Sequence, residues 1–359
     1  MKKTKKKEPP RRAYDQPLLF QALDGSEIRV CFDQPRLTSD AGLVLLQQDP
    51  FVRRYLKALA CCVEDPRRGT THGIDEMIAQ RVYQILAGYE DGDDCDTLRN
   101  EPVFKLAAGR KADGPPLASQ PTMSRLENLP ATRDLIRLFY CQLDAFVASY
   151  PKPPEAVVLD IDPTACLTHG QQELQLYNTH VGDHCLMPFH VYEGQSGKPV
   201  ATILRPGKTP TAGEILALLK RIVRRLRDAW PGVEIIVRAD SAHKAEEAYQ
   251  RHCEAGEPEK VACVHASADY QAGSWSRPRR VVCRVYHGPL GQDMRYIVTS
   301  FREASARYLY DTVYCGRGSA ELMIKEHKLG LKSDRMSCTK ASANQFRLYL
   351  HNAAYLILH

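Results

Sequence analysis

The stretch AVVLDID, residues 156–162, constrains the fold most. Four apolar residues followed by two acids at alternate positions read as a buried strand that carries carboxylates at its end. VEIIVRAD, residues 233–240, repeats the pattern and ends in Asp240. Between these runs, LMPFHVYEGQSGKPVATILRP (186–206) reads as two strands around a Gly-containing turn. TAGEILALLKRIVRRLRDAW (211–230) reads as a long amphipathic helix. A helix at 244–255 and a short strand, VACVHA (261–266), are expected next. Strand-like runs such as RRVVCRVYH and MRYIVTS fill residues 267–300. A helix spans Tyr314 to Lys328, and a last one runs from Ser342 to about Leu358. The order β-β-β-α-β-α-β, then a β-rich segment, then α, specifies a mixed α/β domain over roughly residues 155–359.

The first part of the chain has a different pattern. Residues 1–13 read as a basic, disordered arm. LLFQALDGSEIRVCFD (18–33) alternates around Asp24-Gly25, a hairpin signal. Helices are expected at 38–48, 73–88, 95–109, 119–129 and 131–149, before the rigid linker PKPP at 151–154. Residues 14–150 therefore form a mainly helical N-terminal domain. Its helix-turn-helix pattern fits a DNA reader, and it equally fits a plain helical bundle.

With 359 residues, two or three domains are expected. No apolar run reaches about 18 residues, so no membrane span is expected. The N-terminus lacks the apolar segment of a signal peptide, which points to the cytoplasm. The 12 Cys include no CxxC pair, so structural zinc is not expected, and the thiols read as reduced. The net charge of +6 decides little, but its distribution is informative. Lys2, Lys3, Lys5, Lys6, Lys7, Arg11 and Arg12 form one basic cluster, and Lys220, Arg221, Arg224, Arg225 and Arg227 form another. Both suit phosphate contacts, and the first is equally a solubilising tail.

Asp160 and Asp162 share a strand face. Asp240 closes a second strand, where an acid can also be a helix N-cap. YCGRGSAELMIKEHK (314–328) places Tyr314, Arg317, Glu321 and Lys328 within a stripe roughly 60° wide on a continuous helix. Such a stripe is either a solvated face or a functional one. Three converging acids need cations between them. Two divalent metals about 3.5–4 Å apart would meet that need and would suit in-line phosphoryl displacement. Hard carboxylate oxygens favour Mg²⁺ or Mn²⁺.

The Y-x2-R-x3-E-x6-K spacing at Tyr314, Arg317, Glu321 and Lys328 resembles the signature of bacterial insertion-sequence DDE transposases. LDIDPTACLTHGQQELQLYN (159–178), RADSAH (238–243), LTSDAGLVLL and LASQPTMSRLEN resemble one branch of that group. The likeness runs from about residue 36 to the end. It implies an RNase H-like catalytic domain with a β-rich insertion, which residues 267–300 fit. By the same resemblance Asp162, Asp240 and Glu321 are the catalytic, metal-binding triad. Asp162 is preferred to Asp160 because Asp162-Pro163-Thr164 matches the first D-x-T motif. Tyr314, Arg317 and Lys328 would be DNA contacts. Relatives usually continue past the last helix, so a C-terminal contact region is expected to be missing.

Trp275, in GSWSRPRR (273–280), is a further DNA-contact candidate: it could stack on an unpaired base. Its alternative is a small satellite core. The expected activity is metal-dependent cleavage at element ends and transfer of the 3′-OH to target DNA. The expected partner is double-stranded DNA, bound by a homodimer assembled on it. Two alternatives remain: a relative that binds DNA without transposing, and an RNase H-like nuclease without strand transfer. His-x-x-Arg and His-x-His elements, which other recombinase chemistries would want, are absent from the sequence. His169 reads as structural or DNA-contacting.

Overall fold

The computed structural model describes residues 16–17, 29–30, 38–239, 262–273, 275–288 and 291–359. The basic arm, the Asp24-Gly25 turn, Asp240 and the helix expected at 244–255 lie outside the described residues. Strands β1 (Gln16–Pro17) and β2 (Arg29–Val30) pair antiparallel, and the residues between them lie outside the described ones.

Helices follow: α1 (Gly42–Gln48), α2 (Pro50–Cys61) and α3 (Ile74–Leu86). Asp49 caps α2, its carboxylate accepting from the amides of Phe51 at 2.7 Å and Val52 at 3.0 Å, with Pro50 at the first helical position. The helix expected over 95–109 is two short ones, α4 (Asp94–Leu98) and α5 (Pro102–Ala107). Pro102 lacks an amide hydrogen and can start a helix but not continue one. α6 (Gln120–Glu127) and α7 (Thr132–Ala148) come next. Residues 108–119 separate α5 from α6, too long for the three- or four-residue turn of a helix-turn-helix. That stretch is stapled to α3: Gln80 and Ala118 exchange two hydrogen bonds of 3.0 Å.

The main sheet has four strands in the order β8-β7-β3-β9. β3 (Ala156–Pro163) pairs antiparallel with β7 (Phe189–Glu193) and parallel with β9 (Glu234–Ala239), and β8 (Pro199–Ile203) flanks β7. Between β3 and β7, the strands β4 (Cys166–Leu167), β5 (Leu176–Asn178) and β6 (Asp183–Leu186) form a small sheet of their own. β9 was expected to be buried. Among the described residues it is an edge strand, and its Val237 is 41% exposed.

Helix α8 (Ala212–Ala229) links β8 to β9 and buries Leu218, Ile222 and Leu226 at intervals of four. It opens with a capping box: the Thr211 hydroxyl accepts from the Glu214 amide, and Glu214 accepts from the Thr211 amide at 2.8 Å. Trp230, just past its end, packs on Phe146 and Tyr150.

Three long strands, β10 (Ala262–Tyr270), β11 (Arg279–Gly288) and β12 (Gly291–Thr299), make a separate antiparallel sheet. The short strand expected at 261–266 is the first half of β10. One side of this sheet packs, through Val282 and Ile297, on Leu309 and Tyr310. Helices α9 (Gly318–Leu329) and α10 (Ala341–Leu358) end the chain.

α10 is buried on nearly all sides. Several of its polar groups are paired: Asn352 accepts from Thr202 Oγ1 and donates to Gln142, both at 2.9 Å, and Gln345 accepts from the Leu204 amide at 2.7 Å. A single apolar core runs from Leu43 in α1, through the sheet, to Leu356 in α10. The helices and the main sheet are therefore packed as one body.

Candidate active site

Strand alternation puts Asp160 and Asp162 on one face of β3, but their surroundings differ. Asp160 is fully buried. Arg238 of β9 grips it with two N–H donors at 2.5 Å each. Burial raises the Asp160 carboxyl above its ordinary range, and the Arg238 guanidinium opposes that shift. Both Asp160 oxygens are taken up by Arg238, and neither faces solvent.

Asp162 lies one pleat closer to the strand end and stays 18% exposed. Arg317 Nη2 approaches its Oδ2 at 2.9 Å, and Arg317 Nη1 lies 3.6 Å from Glu321 Oε1. The guanidinium is 8% exposed, and its Nε finds no partner among the described residues. One buried cation thus joins two of the three expected acids. Glu321 itself remains 69% exposed.

The expected continuous helix from Tyr314 is not present. Tyr308–Tyr314 wind as a π-helix, Cys315–Arg317 as a 3₁₀ turn, and only Gly318–Leu329 are α-helical. The 3₁₀ turn eclipses Tyr314 and Arg317, and α9 carries Glu321 and Lys328 four and eleven residues beyond Arg317, so the four signature residues stay near one side despite the change of winding. Tyr314 packs against Tyr310 at the edge of the satellite core, with ring centroids 5.5 Å apart. Arg317 turns in toward β3. Lys328 reaches back over the β3 end: its Nζ donates to the Ala165 carbonyl at 2.7 Å and lies 3.4 Å from Thr164 Oγ1. It therefore ties α9 to the Asp162-Pro163-Thr164 turn.

Below Asp162 sits a buried imidazole layer. His190 pairs with Asp162 in the β3–β7 register, and its ring lies 5.3 Å from that of His327 in α9. Burial, aided by the Lys328 charge, lowers His190 to about 3, and burial also holds His327 well below its ordinary value. Both rings are neutral at pH 7, donating or accepting hydrogen bonds without adding charge beneath the acids.

Trp275 lies in the β10–β11 connection, half-buried, edge-on to Tyr270 at 5.7 Å. It is outside the satellite core. His169 is exposed in the turn after β4. On α8, Lys220, Arg221 and Arg224 are exposed, whereas Arg225 is paired with Asp144 and Arg227 bonds the Val233 carbonyl. Sequence reading passed over Arg53, Arg54 and Lys57, which line one exposed patch of α2. Their i, i+1, i+4 spacing was the available signal. It also missed Arg238, whose role depends on a partner 78 residues away.

The acids suit a divalent ion in kind, being hard oxygen donors. The position of Arg317 shows that the space between Asp162 and Glu321 accommodates positive charge. Among the described residues no three His, Cys, Asp or Glu side chains converge, and Asp240 lies outside them.

No curated protein matches the chain in sequence. Among solved structures, the fold is similar to that in "Cryo-EM structure of piggyBac transposase synaptic complex with hairpin DNA (SNHP)", with a TM-score of 0.38 and 12% identity over 88% of this chain and 76% of that one. The family described as Transposase DDE domain group 1 matches residues 20–262 and 251–359. The chain belongs to that family of DDE transposases.

Proposed function

We propose that the protein is the transposase of a bacterial insertion sequence, binding the ends of its element, cutting there, and joining the freed 3′-OH to target DNA. Residues 155–359 act as an RNase H-like catalytic domain, with residues 267–300 as a β-rich insertion. The three antiparallel strands β8-β7-β3, followed by the parallel β9, support this reading. The helices within 14–150 serve DNA binding, and the exposed Arg53, Arg54 and Lys57 support that. The assembly is a homodimer on DNA, in the cytoplasm.

Asp162, Asp240 and Glu321 would hold two Mg²⁺ or Mn²⁺ ions. Such ions, when bound, activate water and stabilise the attacking and leaving oxygens of an in-line displacement. The chain's own groups do the rest. Asp162 and Glu321 provide fixed negative charge around one small volume. Arg317 neutralises them in the protein alone. Its forked guanidinium suits phosphate as well as carboxylate, so a DNA phosphate placed beside Asp162 meets a ready counter-charge. Lys328 holds the Thr164–Ala165 turn and so fixes the end of β3. Tyr314 and Trp275 contact DNA through their rings. No covalent protein–DNA intermediate forms: water opens the first phosphodiester, and the resulting hydroxyl opens the second.

The observation that carries this reading is the single guanidinium held between Asp162 and Glu321 in a DDE transposase chain. The test is incubation of the purified protein with linear DNA carrying the sequences that flank its gene, a supercoiled target and Mg²⁺. Nicked ends and joined products are expected, both lost with EDTA. Binding without cutting would favour a repurposed DNA-binding relative, and cutting without joining a nuclease.

A further inference from the structure

The Asp160–Arg238 pair has no part in the chemistry just proposed, yet three chain segments meet at it. Arg238 Nε and Nη2 hold the two oxygens of Asp160, and Nη1 donates to the Val313 carbonyl at 2.9 Å. The pair is nearly sealed: Arg238 is 11% exposed and Asp160 not at all. One guanidinium therefore pins β3, β9 and the end of the π-helix together. Each of these segments leads into one of the proposed acids. Asp162 follows Asp160 by two residues, Asp240 follows Arg238 by two, and Glu321 follows Val313 by eight.

Two glycines make room for the contact. A Cβ on Gly194 would collide with Arg238 Nη2 and stand 2.5 Å from Asp160 Oδ2. A Cβ on Gly316 would stand 2.6 Å from Arg238 Nη1. Neither glycine has a positive φ, so neither is needed for backbone conformation. Both are needed for space. A buried ion pair contributes little net stability compared with apolar residues of the same volume. Its distinctive effect is directional: five fixed donors that accept one arrangement of partners.

We propose that Arg238, with Asp160, is a positioning residue that sets the spacing between the ends of β3 and β9 and the segment carrying Arg317 and Glu321. The clamp rests on the acid assignment proposed above. Because Asp160 and Asp162 lie on one face of one strand, fixing the first fixes the direction of the second. Because Val313 precedes Tyr314, the same guanidinium sets where the signature segment begins.

The test compares wild type with Arg238→Gln, Arg238→Lys, Gly316→Ala and the Gly316→Ala/Arg238→Gln double variant. Three quantities are measured: Mn²⁺ affinity of the DNA-free protein by electron paramagnetic resonance, the thermal midpoint, and kcat and KM for cleavage of the flanking-sequence duplex. Gly316 is at the surface, so Gly316→Ala should leave the midpoint within about 3 °C. It should weaken Mn²⁺ binding and lower kcat by about tenfold each, with KM unchanged. Arg238→Gln should do the same or more. Arg238→Lys, which can pair with Asp160 but cannot span to Val313 as well, should recover only part. In the Arg238→Gln background Gly316→Ala should have no further effect, because the added methyl meets only the guanidinium.

Folded variants with wild-type Mn²⁺ affinity and kcat, or fully additive effects in the double variant, would overturn the clamp. Should Arg238→Gln fail to fold, Gly316→Ala and Arg238→Lys still decide it. A wild-type protein that binds no Mn²⁺ overturns the acid assignment and the clamp with it. One that binds Mn²⁺ without cutting overturns the transposase reading alone and leaves the metal measurements to judge the clamp.

Discussion

Replacing Asp162 with Ala should abolish cleavage while leaving binding to the element ends nearly unchanged. It also takes from the buried Arg317 its nearer carboxylate, so the thermal midpoint should fall as well. Asp160→Asn acts through the fold. It strands the Arg238 charge inside the protein, a change that costs about 3–5 kcal/mol and is read by denaturant unfolding. If Asp162→Ala cleaves normally, Asp162 is not the catalytic acid. The two aspartates also mark how far sequence reads at this scale. Their position at the end of a buried strand was plain from AVVLDID. Which one faces a cation in the site and which is locked away depends on Arg238 and Arg317, both distant in the chain. The D-x-T motif favours Asp162 as the catalytic acid, and the cleavage assay above is its test. Arg317 was readable as a cation near Glu321, but its ion pair with Asp162 was not, because no local pattern encodes it.

Elements whose faces are set by burial were legible. β3, α7, α8 and α10 each begin and end within a residue or two of their expected limits. Residues 308–317 were not, because their winding is fixed by bonds to other elements, among them Arg238 to Val313. Periodicity assumes 3.6 residues per turn and fails where tertiary contacts change the pitch. α8 offers a test at this scale. Thr211→Ala removes one half of its capping box and should cost about 1 kcal/mol in denaturant unfolding. In the second sheet, Trp275 packs edge-on to Tyr270 and lies outside the buried cluster. Trp275→Ala should therefore shift the thermal midpoint little. If the ring stacks on a base, the same change should slow cleavage or joining by an amount equivalent to about 1–3 kcal/mol. A destabilised variant with normal cleavage would instead place Trp275 in the structural framework.

At the scale of the molecule, three buried imidazoles couple stability to pH. His190 and His351 are each held at about 3, and His327 lies well below its ordinary value, burial being the first cause in all three. Their pKa values are depressed on folding, so the unfolded chain binds more protons between about pH 3 and 6.5. Stability should therefore fall as pH drops below about 6.5, by about 2 kcal/mol per histidine between pH 7 and pH 5. Urea unfolding at the two pH values checks this. A stability that holds steady across the range would mean that these rings are not neutral in the fold. DNA binding should weaken steeply with salt, the log–log slope reporting about 0.9 per phosphate neutralised. A flat response would remove the basic patches from the interface.

The shared core of helices and sheet was not legible, since each segment's pattern shows only that it buries a face. That shared core has a consequence in time. α10 packs against α3, and 254 residues (87–340) separate the end of α3 from the start of α10. At about 5–20 residues per second, ribosomes need roughly 13–50 s to cross that gap. Throughout it the part of α3 that α10 covers waits exposed, although α2, α5 and α6 already pack on the rest. The newborn chain is therefore a client for chaperones for most of its synthesis, and it can close its core only after α10 has emerged.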